Sequence, residues 1–237
     1  MLAVILAGGL GTRLYPLTRT LPKVLVPVLG RPFLEYQIEL LTSCGQTNIV
    51  ISTGHLGRMI EDHIGDGSPF GVTVRYSRER EPLGTAGALR NAADLLDTRF
   101  LLLNGDTYLP IDYAVLADTA AKSKRTAVMV VSAGSPFVRK NARLTKSGLV
   151  AVYDKSNSRG MTHVDAGTAV LTRRAIEGGP QRHAISLEED IYPVLANRGE
   201  LEAYRTGLPF FDMGTLPGLR ALEEHLKRNQ IGHRYLE

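Results

Sequence analysis

LAVILAGGLGTRLYPLTRTLPK, residues 2–23, is the stretch around which the rest of the chain makes sense. Residues 2–6 are a short apolar run of the kind that forms a buried strand, and the run breaks abruptly at Ala7, Gly8, Gly9, Leu10 and Gly11. Glycines at 8, 9 and 11 strip Cβ atoms from the loop, which permits positive φ and close approach of a large group. A loop of this kind after a strand leaves N–H groups pointing one way, a nest for an anion. Arg13 and Lys23 add two cations within short reach, and the combination predicts a polyphosphate. The run is not a P-loop, which needs Lys and Ser or Thr directly after the last glycine, where Thr12 and Arg13 stand. Nor is it the dinucleotide fingerprint, because no third glycine follows Gly9-Leu10-Gly11 at the required spacing. Pro16 and Pro22 divide the segment, so residues 14–21 do not form one uninterrupted helix.

Taken whole, residues 6–23 closely resemble the signature of the sugar-1-phosphate nucleotidyltransferases, enzymes that make NDP-sugars. The resemblance implies an α/β fold, a Rossmann-like, mostly parallel mixed sheet flanked by helices, in a single domain. It implies a nucleotide-binding role for Leu6, Ala7, Gly8, Gly9, Gly11, Thr12 and Arg13, and a catalytic role for Arg13, Lys23 and, further on, Asp106.

Composition is compatible with that reading. A chain of 237 residues suits one compact domain. The formal charge of +4 is modest and its cations are interspersed with acids, which argues against a nucleic-acid surface and suits anionic small molecules. Cys44 is the single cysteine, so no intramolecular disulfide forms and a reducing cytoplasm is the expected compartment. Residues 2–6 are too short for a membrane span and lack the basic flank of a signal peptide.

Working outward, residues 33–43 carry apolar residues at helical spacing (Leu34, Ile38, Leu41) and end at Gly45, a C-cap. Residues 48–53 are a β-branched strand, so strand, phosphate loop, helix and strand open a parallel α/β sheet. A helix over 57–64, a turn at 65–67 and a strand over 72–77 follow. Residues 81–89, EPLGTAGAL, are a second glycine-rich loop running into a helix through Leu96. Small residues there let the flat face of a nucleobase lie against backbone, and the resemblance implies that Gly84, Thr85 and Gly87 are base-side contacts. The strand over 100–103 ends in Asn104-Gly105-Asp106-Thr107, where open α/β sheets place their ligands. Aspartate is a hard ligand suited to Mg²⁺, and Asp106 matches the family's metal position.

A helix over 113–123 and a strand over 126–132 precede a polar, basic stretch at 136–148, which marks the shift from a nucleotide half (about 1–135) to a sugar half (about 136–237). After a strand over 149–153, Asp154-Lys155-Ser156 stands where the family carries Glu-Lys-Pro. The resemblance implies that Lys155 contacts the sugar phosphate and Asp154 the sugar, with a carboxylate one methylene shorter than the family's. Residues 164–168 resemble the family's Asn-Ala-Gly segment, with Asp165 in place of Asn and Gly167 retained as a sugar-phosphate contact. Ser186 reads as a helix N-cap with Glu189 completing a capping box, while the resemblance makes Glu188 a sugar contact. A strand over 201–205 leads to Phe211-Asp212-Met213-Gly214-Thr215, which resembles the family's terminal metal motif. Asp212 is therefore expected to join Asp106 on one Mg²⁺, or to cap a helix over 216–228.

The activity so implied is attack of a sugar 1-phosphate on the α-phosphorus of an NTP, with pyrophosphate leaving and no general base. NTP and sugar 1-phosphate are the partners, without nucleic acid or membrane, and the protein is a monomer or homodimer. The pattern is most similar to the heptose- or mannose-1-phosphate guanylyltransferases, and uridylyl or thymidylyl transfer to a hexose 1-phosphate is the alternative. A silent regulatory relative is opposed by the presence of Arg13, Lys23, Asp106 and Asp212, and a nicotinamide oxidoreductase by the missing third glycine.

Overall fold

In a computed structural model, which describes residues 1–136 and 138–234, with side chains as far as Arg228, seven strands form one sheet. In chain order these are β1 (Ala3–Leu6), β2 (Asn48–Thr53), β3 (Thr73–Arg78), β4 (Arg99–Asn104), β5 (Ala127–Ser132), β6 (Val164–Thr172) and β7 (Leu201–Thr206). Across the sheet the order is β7-β5-β6-β4-β1-β2-β3. All neighbours run parallel except β6, which is antiparallel to both β4 and β5. The mostly parallel mixed sheet expected from the sequence is what the chain forms.

The apolar runs of β1, β2 and β4 are continuous because both faces are covered. Ala3, Ile5, Ile49, Ile51, Leu101 and Leu103 face one core with helices α1 (Phe33–Ser43), α2 (Gly57–Ile64) and α4 (Tyr113–Lys122). Val4, Val50, Phe100 and Leu102 face the other with α3 (Gly84–Asn91), α5 (Arg173–Glu177) and α6 (Tyr192–Asn197). A third cluster joins Leu14, Val26, Val28 and Phe33 to Leu219, Leu222 and Leu226 of α7 (Leu216–Arg234), bracing the phosphate-loop excursion from outside the sheet. Each such leucine contributes about 1.5–3 kcal/mol when fully buried.

Residues 14–21 are broken as the prolines require, into 3-10 turns at Thr12–Leu14 and Leu17–Arg19. The helix expected through Leu96 instead stops at Asn91 and restarts as a 3-10 turn, Ala93–Leu95. At Ser186 the cap holds, the hydroxyl accepting from Glu189 N–H at 3.2 Å, but the reciprocal partner is Asp190, whose Oδ2 accepts from Ser186 N–H at 2.9 Å. The segment it opens is a π-turn, Leu187–Ile191, whose wider winding brings residue 190 back over the cap in place of 189. Asp212 does not cap α7: its Oδ1 accepts from Gly214 N–H at 2.7 Å, and Thr215 accepts from Gly218 N–H. The strand β5, placed in the first half by the boundary near 135, lies in the sheet between β6 and β7.

Candidate active site

Parallel strands deliver their carboxyl ends to one edge, and there a cavity of about 500 Å³ opens between the loops after β1, β3 and β4 and residues from β6 and the segment preceding α6. Leu6, Ala7, Gly8 and Gly9 floor one end of it. Arg13 reaches in from the first 3-10 turn, and Lys23 from the turn that follows Pro22. Asp106 follows β4 directly. Asp212 is set beside it by a two-residue strand, Phe211–Asp212, pairing antiparallel with Thr107–Tyr108, and by Met213 N–H donating to the Asp106 carbonyl at 2.9 Å.

Four charges meet at this end. Lys23 Nζ donates to Asp106 Oδ2, and Arg13 bridges the pair, 3.9 Å from Asp106 Oδ2 and 3.7 Å from Asp212 Oδ2. The Lys23 side chain is only 12% exposed against 60% for Arg13, so one cation is enclosed by the fold and the other faces solvent across the cavity mouth. Burial, then the neighbouring Asp106, raises the Asp212 carboxyl above its ordinary range, with Gly214 N–H, Lys23 and Arg13 opposing. Two carboxylates whose repulsion is only partly relieved are a hard-oxygen donor set that suits Mg²⁺ together with a phosphate oxygen.

The opposite end is acidic. Glu188 Oε2 accepts from the Thr85 and Ser186 hydroxyls, both at 2.8 Å, while its Oε1 lies 4.0 Å from Lys155 Nζ. Asp165 accepts from Tyr153 Oη at 3.0 Å and from Gly167 N–H at 2.9 Å, and its own N–H donates to Asn141. Burial above all pushes the Asp165 carboxyl up to about 6; Glu188 pushes the same way, and the Gly167 N–H, Tyr153 and Lys155 oppose.

Several expected residues serve this cavity without lining it. Gly11, at φ +63°, holds Lys23 in place: a Cβ there would stand 3.1 Å from that of Lys23 and 3.2 Å from that of Thr18. Thr12 is exposed and takes part in the loop through its carbonyl, which accepts from Tyr15 N–H. Gly87 is buried in α3, where a Cβ would meet Leu83 at 2.8 Å, and packs the loop rather than facing the cavity. Asp154 does not line the cavity, although its neighbour Lys155 does. Its carboxylate closes a turn, accepting from Ser156 N–H, Ser156 Oγ and Asn157 N–H, which holds its pKa low. Gly84 (φ +74°) and Thr85 do line the cavity, but the Thr85 hydroxyl is committed to Glu188 and to Leu187 N–H. Lys155, Gly167 and Glu188 line it as expected.

Three residues emerge that the sequence did not single out as contacts. Glu79, just past β3, places its carboxylate against Gly8, accepts from Leu83 N–H at 3.0 Å and is raised by burial. Tyr153 and Asn141 complete the acidic end. Their one available signal was position, at or beyond strand ends, which many surface residues share.

Comparison with known proteins follows the same lines. Residues 2–156 match the sequence profile of the family described as Nucleotidyl transferase. Mannose-1-phosphate guanylyltransferase of Mycobacterium tuberculosis is 32% identical over 206 residues, 85% of this chain and 57% of that protein. This chain thus spans a little over half the length of that relative. D-glycero-alpha-D-manno-heptose 1-phosphate guanylyltransferase of Aneurinibacillus thermoaerophilus is 26% identical over 228 residues, covering 96% of this chain and 99% of that one. Among solved structures, HddC of Yersinia pseudotuberculosis complexed with GMP-PN is 27% identical, with a TM-score of 0.80 over 95% of this chain and 99% of that chain.

Proposed function

The chain belongs to the nucleotidyl transferase family, and from that premise we propose that it transfers a nucleoside monophosphate from an NTP to a sugar 1-phosphate, releasing pyrophosphate. GTP is the donor and a mannose or heptose 1-phosphate the acceptor. The observation that carries this reading is the quartet of Arg13, Lys23, Asp106 and Asp212 at one end of a cavity whose other end presents Lys155.

The chemistry asks little covalent help. A phosphate oxygen of the sugar 1-phosphate, already anionic, attacks the α-phosphorus; one P–O bond forms as the bond to pyrophosphate breaks, and no proton moves. What the protein supplies is alignment and cancellation of charge. Backbone N–H groups of Gly8 and Gly9 and the exposed Arg13 receive the β and γ phosphates, Lys23 opposes the charge that builds in transfer, and Lys155 holds the sugar phosphate. Asp106 and Asp212 would hold Mg²⁺, which, when bound, neutralises phosphate charge.

Guanine is favoured by Glu79. A carboxylate accepts from both N1–H and N2–H of guanine, whereas uracil offers a single ring N–H beside two carbonyls that a carboxylate repels. Pyrophosphate release from GTP, UTP or dTTP with mannose or heptose 1-phosphate tests the reading. GTP-dependent release that requires the sugar phosphate and Mg²⁺ is expected, and its absence from folded protein would refute the proposal. Among the described residues no helix is long and apolar enough to cross a membrane; with one cysteine, the reducing cytoplasm is the compartment proposed.

A further inference from the structure

The acidic end of the cavity carries a charge arrangement that the transfer reaction does not itself demand. Glu188 and Asp165 line the cavity and sense each other's charge. Both are held by neutral donors: Thr85 and Ser186 hydroxyls on Glu188, the Tyr153 hydroxyl and the Gly167 amide on Asp165. The cation that reaches both is Lys155, 4.0 Å from Glu188, with a side chain 59% exposed. Once Lys155 turns to a phosphate, the pair is left with two negative charges and spare lone pairs aimed at whatever the phosphate carries. Hydroxyl groups satisfy those lone pairs as donors. A carboxylate on the sugar would be a third anion in a half-buried space, where like charges repel strongly.

Resting on the sugar-1-phosphate reading above, we propose that Asp165 and Glu188 form a charge filter that admits neutral, hydroxyl-rich sugar 1-phosphates and rejects those bearing a carboxylate, such as uronic or muramic acid 1-phosphates. Neither residue touches the reacting phosphorus; they set specificity for the acceptor.

The test compares kcat/KM for the neutral sugar 1-phosphate that the wild-type protein uses fastest with values for glucuronic acid 1-phosphate and N-acetylmuramic acid 1-phosphate. A deficit of about 10²-fold or more is expected for both acids, the size of effect that a like-charge clash of a few kcal/mol gives. Glu188→Gln and Asp165→Asn, which keep shape and remove charge, should each narrow the deficit about tenfold in variants whose melting curves show an intact fold. A deficit of purely steric origin would not respond to these substitutions, so a gap unchanged in both variants overturns the filter. Equal use of acidic and neutral acceptors by the wild-type protein overturns it without any variant, and leaves the transfer reading standing. Absence of turnover with every sugar 1-phosphate would sink the transfer reading, and the filter with it.

Discussion

The two ends of the cavity handle negative charge in opposite ways. At one end, Asp106 and Asp212 are met by Lys23 and Arg13, a balanced quartet assembled from four separate segments of chain. At the other end, Asp165 and Glu188 are held by hydroxyls and one amide, with a single exposed lysine nearby. Ion pairs that a substrate can break and remake suit the neutralisation of a triphosphate. Carboxylates tied by neutral donors keep their orientation and their spare lone pairs, which suits reading a pattern of hydroxyls. Glu79, beside Gly8 and held by Leu83 N–H, belongs with the second kind.

Breaking the quartet should give the largest effect. Lys23→Ala is expected to lower kcat by 10²-fold or more, the loss seen when one preorganised charge is removed; near-wild-type turnover in a folded variant would take Lys23 out of the mechanism. Asp106→Asn should next abolish turnover or shift the magnesium titration to much higher concentration, and an unchanged titration would count against its ligand role. On the reading side, Glu79→Gln exchanges an acceptor pair for one acceptor and one donor. That pattern complements uracil better than guanine, so the GTP-to-UTP ratio of kcat/KM should fall by about 10-fold or more. Thr85→Ala removes a donor from Glu188 and should raise KM for the sugar phosphate several-fold with little change in KM for the nucleotide, while Thr85→Ser restores it.

The smallest effect is on stability. Asp165 is protonated more readily in the fold, at about 6, than in an unfolded chain, where an aspartate titrates at 3.8. Between those values the folded state binds the extra proton, so the native state loses stability as pH rises through that window and the ionised carboxylate remains a cost above it. Asp165→Asn should therefore stabilise the protein at pH 8 relative to pH 4, by on the order of 2 kcal/mol. Equal pH dependence of the melting temperature in wild type and variant would contradict the assignment.

The fold and the meeting of Arg13, Lys23, Asp106 and Asp212 were legible in the sequence for physical reasons. Apolar runs flanked by glycine report a strand buried on both faces, and Pro16 and Pro22 break helix wherever they stand. Arg13, Lys23, Asp106 and Asp212 sit in motifs whose residue types have few other uses together. The acidic end was less legible because its geometry depends on partners far apart in sequence. Nothing near Thr85 announces that its hydroxyl is spent on residue 188, whereas the turn that Ser156 and Asn157 close on Asp154 is local, and only the family resemblance points that carboxylate to a sugar. The capping pattern at Ser186 points to Glu189 as reciprocal partner on an α-helical period, but the chain there winds more widely and Asp190 takes that place.

One further consequence concerns the strap between the loop at 83–87 and residues 185–188. Leu83 O accepts from Ile185 N–H, Ile185 O accepts from Ala86 and Gly87 N–H, and Thr85 Oγ1 joins Leu187 N–H to the Glu188 carboxylate. At Gly84 an added Cβ would stand 2.5 Å from the Ile185 carbonyl oxygen, so the two segments cannot drift apart in sequence independently. On the function proposed above, the choice of base and the choice of acceptor would therefore be mechanically coupled. An engineer who transplants the donor-side loop from another member of the family should find that the choice of acceptor travels with it, unless the facing segment is exchanged in the same step.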